Sequence, residues 1–299
     1  MKWNRPIPPL FCISLIAFAF LPALGAQSNP AAKSAGKSGQ GPVWTEEFDG
    51  SSNTDGQVMT LTSTGGYNFN NHLGLVAGIP VYFVRGSSLS GTTTSNNGIG
   101  DFFAGLRIAF ANPIVNYGMV LTGTAPTGDS STGLSTGHAT YDWTNHFDRG
   151  FGRLTPFVDL GLANSIPDML FFRRQFASYG NVAHFDAGTD FDIIGPLSFN
   201  ASLYDIAPWG TQQVFSRVVR GGGPPAGTGG HGRAFEVNQH TVGGATLTRD
   251  NGFNLGFDVS LTPALDLWGG FTRSVAMDLN TVSFGVGVNL SSVFRRNGK

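Results

Sequence analysis

The chain has a single cysteine in 299 residues, and that residue, Cys12, lies close to the N-terminus. Lys2 and Arg5 precede an apolar run from Leu10 to Leu21, and Ala23, Gly25 and Ala26 follow it. This order predicts a secretory signal peptide over residues 1–26, cut after Gly25 or Ala26, because the run is too short to anchor the chain in a membrane. Leu10 and Phe11 stand where a lipid-modified cysteine would want small residues, so Cys12 leaves with the signal peptide. The mature chain then has no disulfide and needs another source of rigidity in an exported setting. Charge is scarce as well. Asp, Glu, Lys and Arg make up 12% of the chain, against about 25% in ordinary soluble domains, and very few lysines follow residue 42. With 19 acidic and 18 basic residues, net charge draws the protein to neither nucleic acid nor an anionic surface. Also missing from the mature part are a convincing helical period and an internal linker. The one linker-like stretch is the flexible spacer 27–42. Its "AGKS" lacks both the first glycine and the preceding strand of a phosphate-binding loop.

What the sequence has is glycine, 43 residues, phenylalanine, 25 residues, and alternation with a period of two. In "GIGDFFAGLRIAF", Phe102, Ala104, Leu106, Ile108 and Phe110 form one face, and Asp101, Phe103, Gly105, Arg107 and Ala109 form the other. "HLGLVAGIPVYF", "FNLGFDVSL" and the late "TVSFGVGVNL" repeat the pattern. Strands of about ten residues suit a tilted crossing of a bilayer, whereas sandwich strands are usually nearer five or six. The pattern predicts twelve strands, at 43–48, 57–68, 72–84, 98–111, 115–124, 135–147, 154–164, 182–193, 197–207, 252–261, 265–274 and 281–290. Short and long connections alternate between them. Those after the second, fourth, sixth, eighth and tenth strands are tight, and those after the third, fifth, seventh and ninth are long. That asymmetry suits a transmembrane up-and-down antiparallel β-barrel with short periplasmic turns and long external loops, spanning 43–294 with a tail at 295–299. A Greek-key sandwich has no reason to show it. Residues 233–250 become an external excursion in this register.

With apolar faces turned to lipid, the opposite faces line the interior. The expected lumen residues are Asp101, Arg107, His138, Asp142, His146, Asp159, His184, Asp186, Asp190, Asp258 and Asp266, an acidic and wet wall. So many carboxylates on the inner face of a soluble sheet would need partners. Residues four apart on a strand sit about 13 Å apart, so His138, Asp142 and His146 cannot share one metal ion, and no metal or other cofactor is expected. Ser135 and His138 lie near the external end of the sixth strand, but no motif singles them out and no enzyme is expected. The loop "SIPDMLFFRRQFASYGN" is apolar and basic together. It either folds inward as a constriction through Phe171, Phe172, Arg173 and Arg174, the arginines reaching lumen aspartates, or lies against the outer leaflet. Constriction is the preferred reading. "GGGPPAGTGG", 221–230, is expected to be a mobile external tip.

The block "GIGDFFAGLRIAFANPIVNYGMVLTGTAPTGDSSTG", with its Gly-x-Gly-Asp start, Gly-x-Arg centre and Pro-Thr-Gly end, together with the late "LTPALDL", resembles the outer-membrane transporters associated with meta-pathway phenol degradation. The resemblance covers about two thirds of the chain and implies a twelve-strand-like barrel that passes small, often aromatic or hydrophobic, compounds. Ser283, Gly285, Val288 and Leu290 have a spacing that resembles the C-terminal signal read by the barrel-assembly machinery. The expected protein is thus a bacterial outer-membrane channel or transporter in contact with lipid, narrow and acidic inside. The alternative is a closed structural or surface-binding barrel whose external loops contact ligands.

Overall fold

The structure is a computed structural model that describes residues 40–86, 95–219 and 233–297. The expected signal peptide, most of the spacer and the segment 221–230 lie outside the described residues. The strands are β1 Gly41–Asn53, β2 Gly56–Asn68, β3 Leu73–Gly86, β4 Ser95–Ile99, β5 Phe102–Phe110, β6 Asn116–Ala125, β7 Thr140–Asp148, β8 Leu154–Ala163, β9 Phe176–Tyr179, β10 Val182–Ile194, β11 Leu197–Pro208, β12 Gln212–Ser216, β13 His240–Gly243, β14 Asp250–Thr262, β15 Leu265–Ser274 and β16 Leu279–Asn289. All but β9, β12 and β13 belong to one antiparallel sheet. β1 pairs β16 in a register running from Thr45 opposite Asn289 to Ser52 opposite Val282, which closes the sheet on itself. β4 and β5 both pair β3 and form one interrupted stave, so the barrel has twelve staves.

That interruption has a local cause. Pro80 of β3 has no N–H to give to the ladder; its carbonyl accepts from Gly100, and the stave resumes at Phe102. Asp101 therefore sits at a break in the wall.

The outer surface is apolar along every stave. Leu75, Leu121, Trp143, Leu160, Phe185, Phe257 and Phe284 are exposed, Leu203 at 65% and Val282 at 61%. Leaving a large apolar side chain in water forfeits roughly 1.5–3 kcal/mol, and a dozen such residues would outweigh the roughly 5–15 kcal/mol by which a domain is usually stable. This exterior is built for hydrocarbon. The buried set is polar instead: Glu47, Asp49, Thr62, Thr64, Asp142, His146, Asp159, Asp186 and Thr272 all face inward. The alternating faces read from β3, β5, β14 and β16 are those observed.

Several boundaries differ from expectation. The first strand is longer at both ends, which adds Asp49 and Ser51 to the inner wall. The sixth predicted strand starts at Thr140 and not at 135. Gly137 has φ of 69°, and the Ser135 and Thr136 hydroxyls accept from the backbone N–H groups of Gly137 and His138. These local bonds compete with the ladder. The last strand ends at Asn289, and the helix Leu290–Asn297 follows in place of a strand end and tail. Leu290 consequently opens that helix and does not face lipid from β16. Residues 233–250 do form an excursion, comprising the short helix Ala234–Val237, β13 and the 3₁₀ turn Ala245–Leu247, with β14 starting two residues earlier than expected.

Gly285 of β16 faces inward where a Cβ would collide with the indole of Trp268. Gly285→Leu is expected to lower the yield of folded barrel both in cells and in detergent refolding with no assembly factor present. Heat-modifiable migration on a gel reads both. Normal refolding in detergent with loss only in cells would mean that Gly285 acts through assembly and not through packing.

Candidate functional site

The short connections, 69–72, 111–115, 149–153, 195–196 and 263–264, gather at one end of the barrel. The long ones 126–139 and 164–181 and the described parts of 209–249 gather at the other, together with the short turns 54–55 and 275–278. Two of the long connections fold into the barrel and build a plug. Its frame is the small sheet β13-β12-β9. Its apolar side chains, among them Ile166, Met169, Phe172, Phe176, Val214 and Phe235, pack with Val58, Val84, Val182, Ile206 and Leu279 of the inner wall. An apolar core therefore fills the long-loop mouth of a barrel whose interior is otherwise polar.

The tip of the 164–181 connection crosses the lumen. Met169 and Phe172 exchange backbone hydrogen bonds in a tight turn. The Phe171 ring occupies the space beside Gly256 of β14 and Gly270 of β15 where any Cβ would clash, and Thr272 donates to the Phe171 carbonyl at 2.9 Å. The neighbouring arginines part. Arg173 is bound through Nε and, at 2.6 Å, through Nη2 to Asp49 of β1, and its backbone exchanges hydrogen bonds with the Ser51 hydroxyl. Burial alone would favour loss of the Arg173 charge, but the carboxylates of Asp49, Asp168 and Glu47 together outweigh burial and raise its pKa. Arg174 pairs with Asp250 at the head of β14, Nη1 to Oδ2 2.7 Å, with both side chains at 0% exposure. Arg217, from the second plug connection, donates to the carbonyls of Gly133 and Arg174, lies 3.6 Å from Asp168 and stacks 4.4 Å over the Tyr82 ring. At the rim, Arg233 binds Asp55 in the β1–β2 turn and the Met277 carbonyl.

The plug leaves one side open. Between it and the wall of β2, β3, β5, β6 and β7 lies a cavity of about 200 Å³. Thr60, Thr62, Tyr82, Phe103, Thr122 and Asp142 line its wall side, and Ile166, Asp168, Arg173 and Arg217 its plug side.

The residues expected in the lumen divide into several groups. Asp101 faces the cavity from the β4–β5 break and accepts from the Gly128 N–H at 3.0 Å. Asp142 holds His184 at 2.9 Å and the Thr144 hydroxyl at 2.6 Å. His146 lies between Asp159 at 2.6 Å and Asp148 at 3.3 Å. Asp186 stands opposite Asp159 in the β8–β10 register, fully buried and in no ion pair among the described residues. Asp190 accepts from Asn200, Asp266 accepts from Ser260 near the short-turn end, and Asp258 shares the inward register of Gly256. Arg107 is buried on the inner face of β5, opposite Gly74. His138 is the exception. It lies exposed in the 126–139 connection, stacked on Tyr179 at 4.4 Å, because its strand begins only at Thr140. Phe171, Phe172, Arg173 and Arg174 are all buried inside the barrel.

Sequence reasoning missed Asp49, Asp250, Asp168 and Arg217. The first two continue the inward parities Glu47-Asp49-Ser51 and Asp250-Gly252-Asn254, a signal that longer strand boundaries would have caught. Nothing local marks the other two.

No protein-family model matches the chain, and no curated protein matches it. Among solved structures, an outer membrane channel from Pseudomonas putida F1 aligns with TM-score 0.54 at 12% identity, over 84% of this chain and 96% of that one. The fold is an outer-membrane β-barrel. The KdgM porin aligns with TM-score 0.46 at 9% identity and the NanC porin with 0.44 at 10%, each over 82% of this chain and 98% of its own. At such identities the likeness carries the fold, and the roles in those names belong to those proteins. Without a matching family model, the likeness to the meta-pathway phenol transporters carries no membership.

Removing one partner of a buried ion pair leaves a bare charge and costs about 3–5 kcal/mol. Arg174→Ala is expected to destabilise the folded barrel by that amount, and the double variant Arg174→Ala with Asp250→Ala by clearly less. Urea unfolding in detergent measures both, and equal losses would show that the bare Asp250 carboxylate is not what destabilises the single variant.

Proposed function

We propose that the protein is a bacterial outer-membrane channel for small molecules, exported through a cleaved signal peptide and inserted by the barrel-assembly machinery. The observation that carries this reading is the plug that fills one side of the lumen and leaves a cavity of about 200 Å³ on the other. The outer-membrane barrel fold supports it. A twelve-stave barrel lies between the eight-strand barrel filled by side chains and the open sixteen-strand porin, and the inward loop narrows it further. Four chemical features go with this reading. The solutes are compact, and both the resemblance to meta-pathway transporters and the rings of Tyr82, Phe103 and Phe176 around the cavity favour compounds with an apolar ring face. The lumen is acidic on balance, since Asp186 is in no ion pair among the described residues and Asp148 and Asp159 lie on either side of the His146 imidazole. Ser283 and Gly285 face inward on β16 with Val288 outward, and we assign that segment to recognition during assembly. Catalysis has no part in the reading: Ser135 is buried and His138 is exposed and stacked on Tyr179.

The apolar core across the mouth favours a second reading, a closed barrel that serves as structure or as a binding surface. Conductance separates the two. In planar bilayers the wild-type chain is expected to show small single-channel steps, and deletion of residues 166–177 or the pair Arg173→Ala and Arg174→Ala to enlarge them several-fold. Silence in the wild type and in both variants would favour the closed barrel. Under a potassium chloride gradient the reversal potential is expected to show cation preference, and anion preference would overturn the acidic lumen.

A further inference from the structure

The charges around the cavity are all engaged. Asp101 accepts from Gly128, Asp142 from Thr144 and His184, and Asp168 from the Arg174 N–H at 2.9 Å, with Arg217 beside it. Arg173 is held by Asp49, and Arg217 by two carbonyls and the Tyr82 ring. A charged organic solute large enough to fill this space sheds hydration and meets no free opposite charge, which is costly. The hydroxyls are different. Thr60, Thr62 and Thr64 follow one another on the inner face of β2, and Asp49, Glu47 and Thr45 of β1 stand beside them in register, both carboxylates within 4.0 Å of the Arg173 guanidinium. The Oγ1 atoms of Thr60, Thr64 and Thr45 are buried, and none of the described residues hydrogen-bonds them. A buried hydroxyl without a partner is unfavourable; Thr60 lines the cavity, and Thr64 and Thr45 continue this lane beyond it toward the short-turn end.

We infer that this lane binds uncharged, polyhydroxylated ring compounds of monosaccharide size on their way through the barrel, a proposal that rests on the channel reading and names its solute class. A threonine hydroxyl both donates and accepts, so its complement is a group that does the same, which is another hydroxyl. Alternate residues of a strand stand roughly 7 Å apart, so a ring with hydroxyls on opposite edges engages one rung as it leaves the next. Across the cavity, Phe103, Ile166 and Phe176 offer apolar surface to the C–H face of such a ring. A phenol, with one hydroxyl, uses a single rung.

The test adds myo-inositol, glucose, gluconate, glucosamine and phenol in turn to the full-length channel in planar bilayers. Myo-inositol and glucose are expected to reduce the current saturably, gluconate, glucosamine and phenol to do so only weakly. Thr60→Val and Thr64→Val are each expected to weaken inositol binding about fivefold, the worth of one hydrogen bond. Valine removes only a buried unbonded hydroxyl, so both variants are expected to keep wild-type heat-modifiability and thermal stability. Equal or tighter block by gluconate, glucosamine or phenol, or unchanged inositol block in both valine variants, overturns the proposal. If the wild-type chain does not conduct, the channel reading fails by itself. The lane is then tested by inositol titration of the tryptophan fluorescence in detergent, where a saturable change lost in Thr60→Val supports it and no change overturns it.

Discussion

A barrel whose exterior is apolar must turn its polar side chains inward and satisfy them there. The rest of this structure follows from how it does so. The inner wall carries Asp49 on β1 and Asp250 on β14, and the cations that meet them come from a connection that crosses the lumen. Arg173 and Arg174 are adjacent, and in extended backbone adjacent side chains point opposite ways, so one short segment reaches two parts of the wall. Without it both carboxylates would lack a cation, and without the wall Met169, Phe171 and Phe172 would face water. Wall and plug each supply what the other lacks.

Every basic residue between positions 38 and 298 is an arginine, with no lysine among them. This suits the positions they occupy. A guanidinium keeps its charge when buried and binds carboxylates and carbonyls through a fixed fork, as Arg173 does to Asp49 and Arg217 does to the Gly133 and Arg174 carbonyls. A lysine ammonium offers a point charge that burial neutralises more readily. The interior is consequently divided. Near the long-loop end an apolar core and an arginine frame are fixed in place, and along β2 the inward side chains Thr60, Thr62 and Thr64 form a row of hydroxyls.

The stave pattern was legible because the period of two is local, and because lipid outside and polar groups inside impose it along the whole crossing. The alternation of short and long connections was legible for the same reason, since it follows once the staves are placed. The plug tip was half legible: "MLFFRR" is too apolar for a loop in water and too basic for a strand in lipid. Its partners were hidden. Asp49 lies 124 residues from Arg173 and Asp250 lies 76 from Arg174, and no local pattern joins positions that meet only across a closed cylinder. His138 was misread because alternation alone continues through Ser135, Thr136 and Gly137, whereas their hydroxyls and a left-handed glycine make turns there. Pro80 and Gly100 show the converse, a break that the missing N–H of a proline makes readable in hindsight.

The plug is assembled from two connections whose anchors are far apart in the chain, and this sets an order of events. Arg173 needs β1, which emerges first, but Arg174 needs Asp250, and Arg233 needs the Met277 carbonyl, both close to the C-terminus. The stopper cannot lock until the last staves have arrived and β16 has met β1. The full set of anchors that holds the obstruction therefore exists only in the closed cylinder.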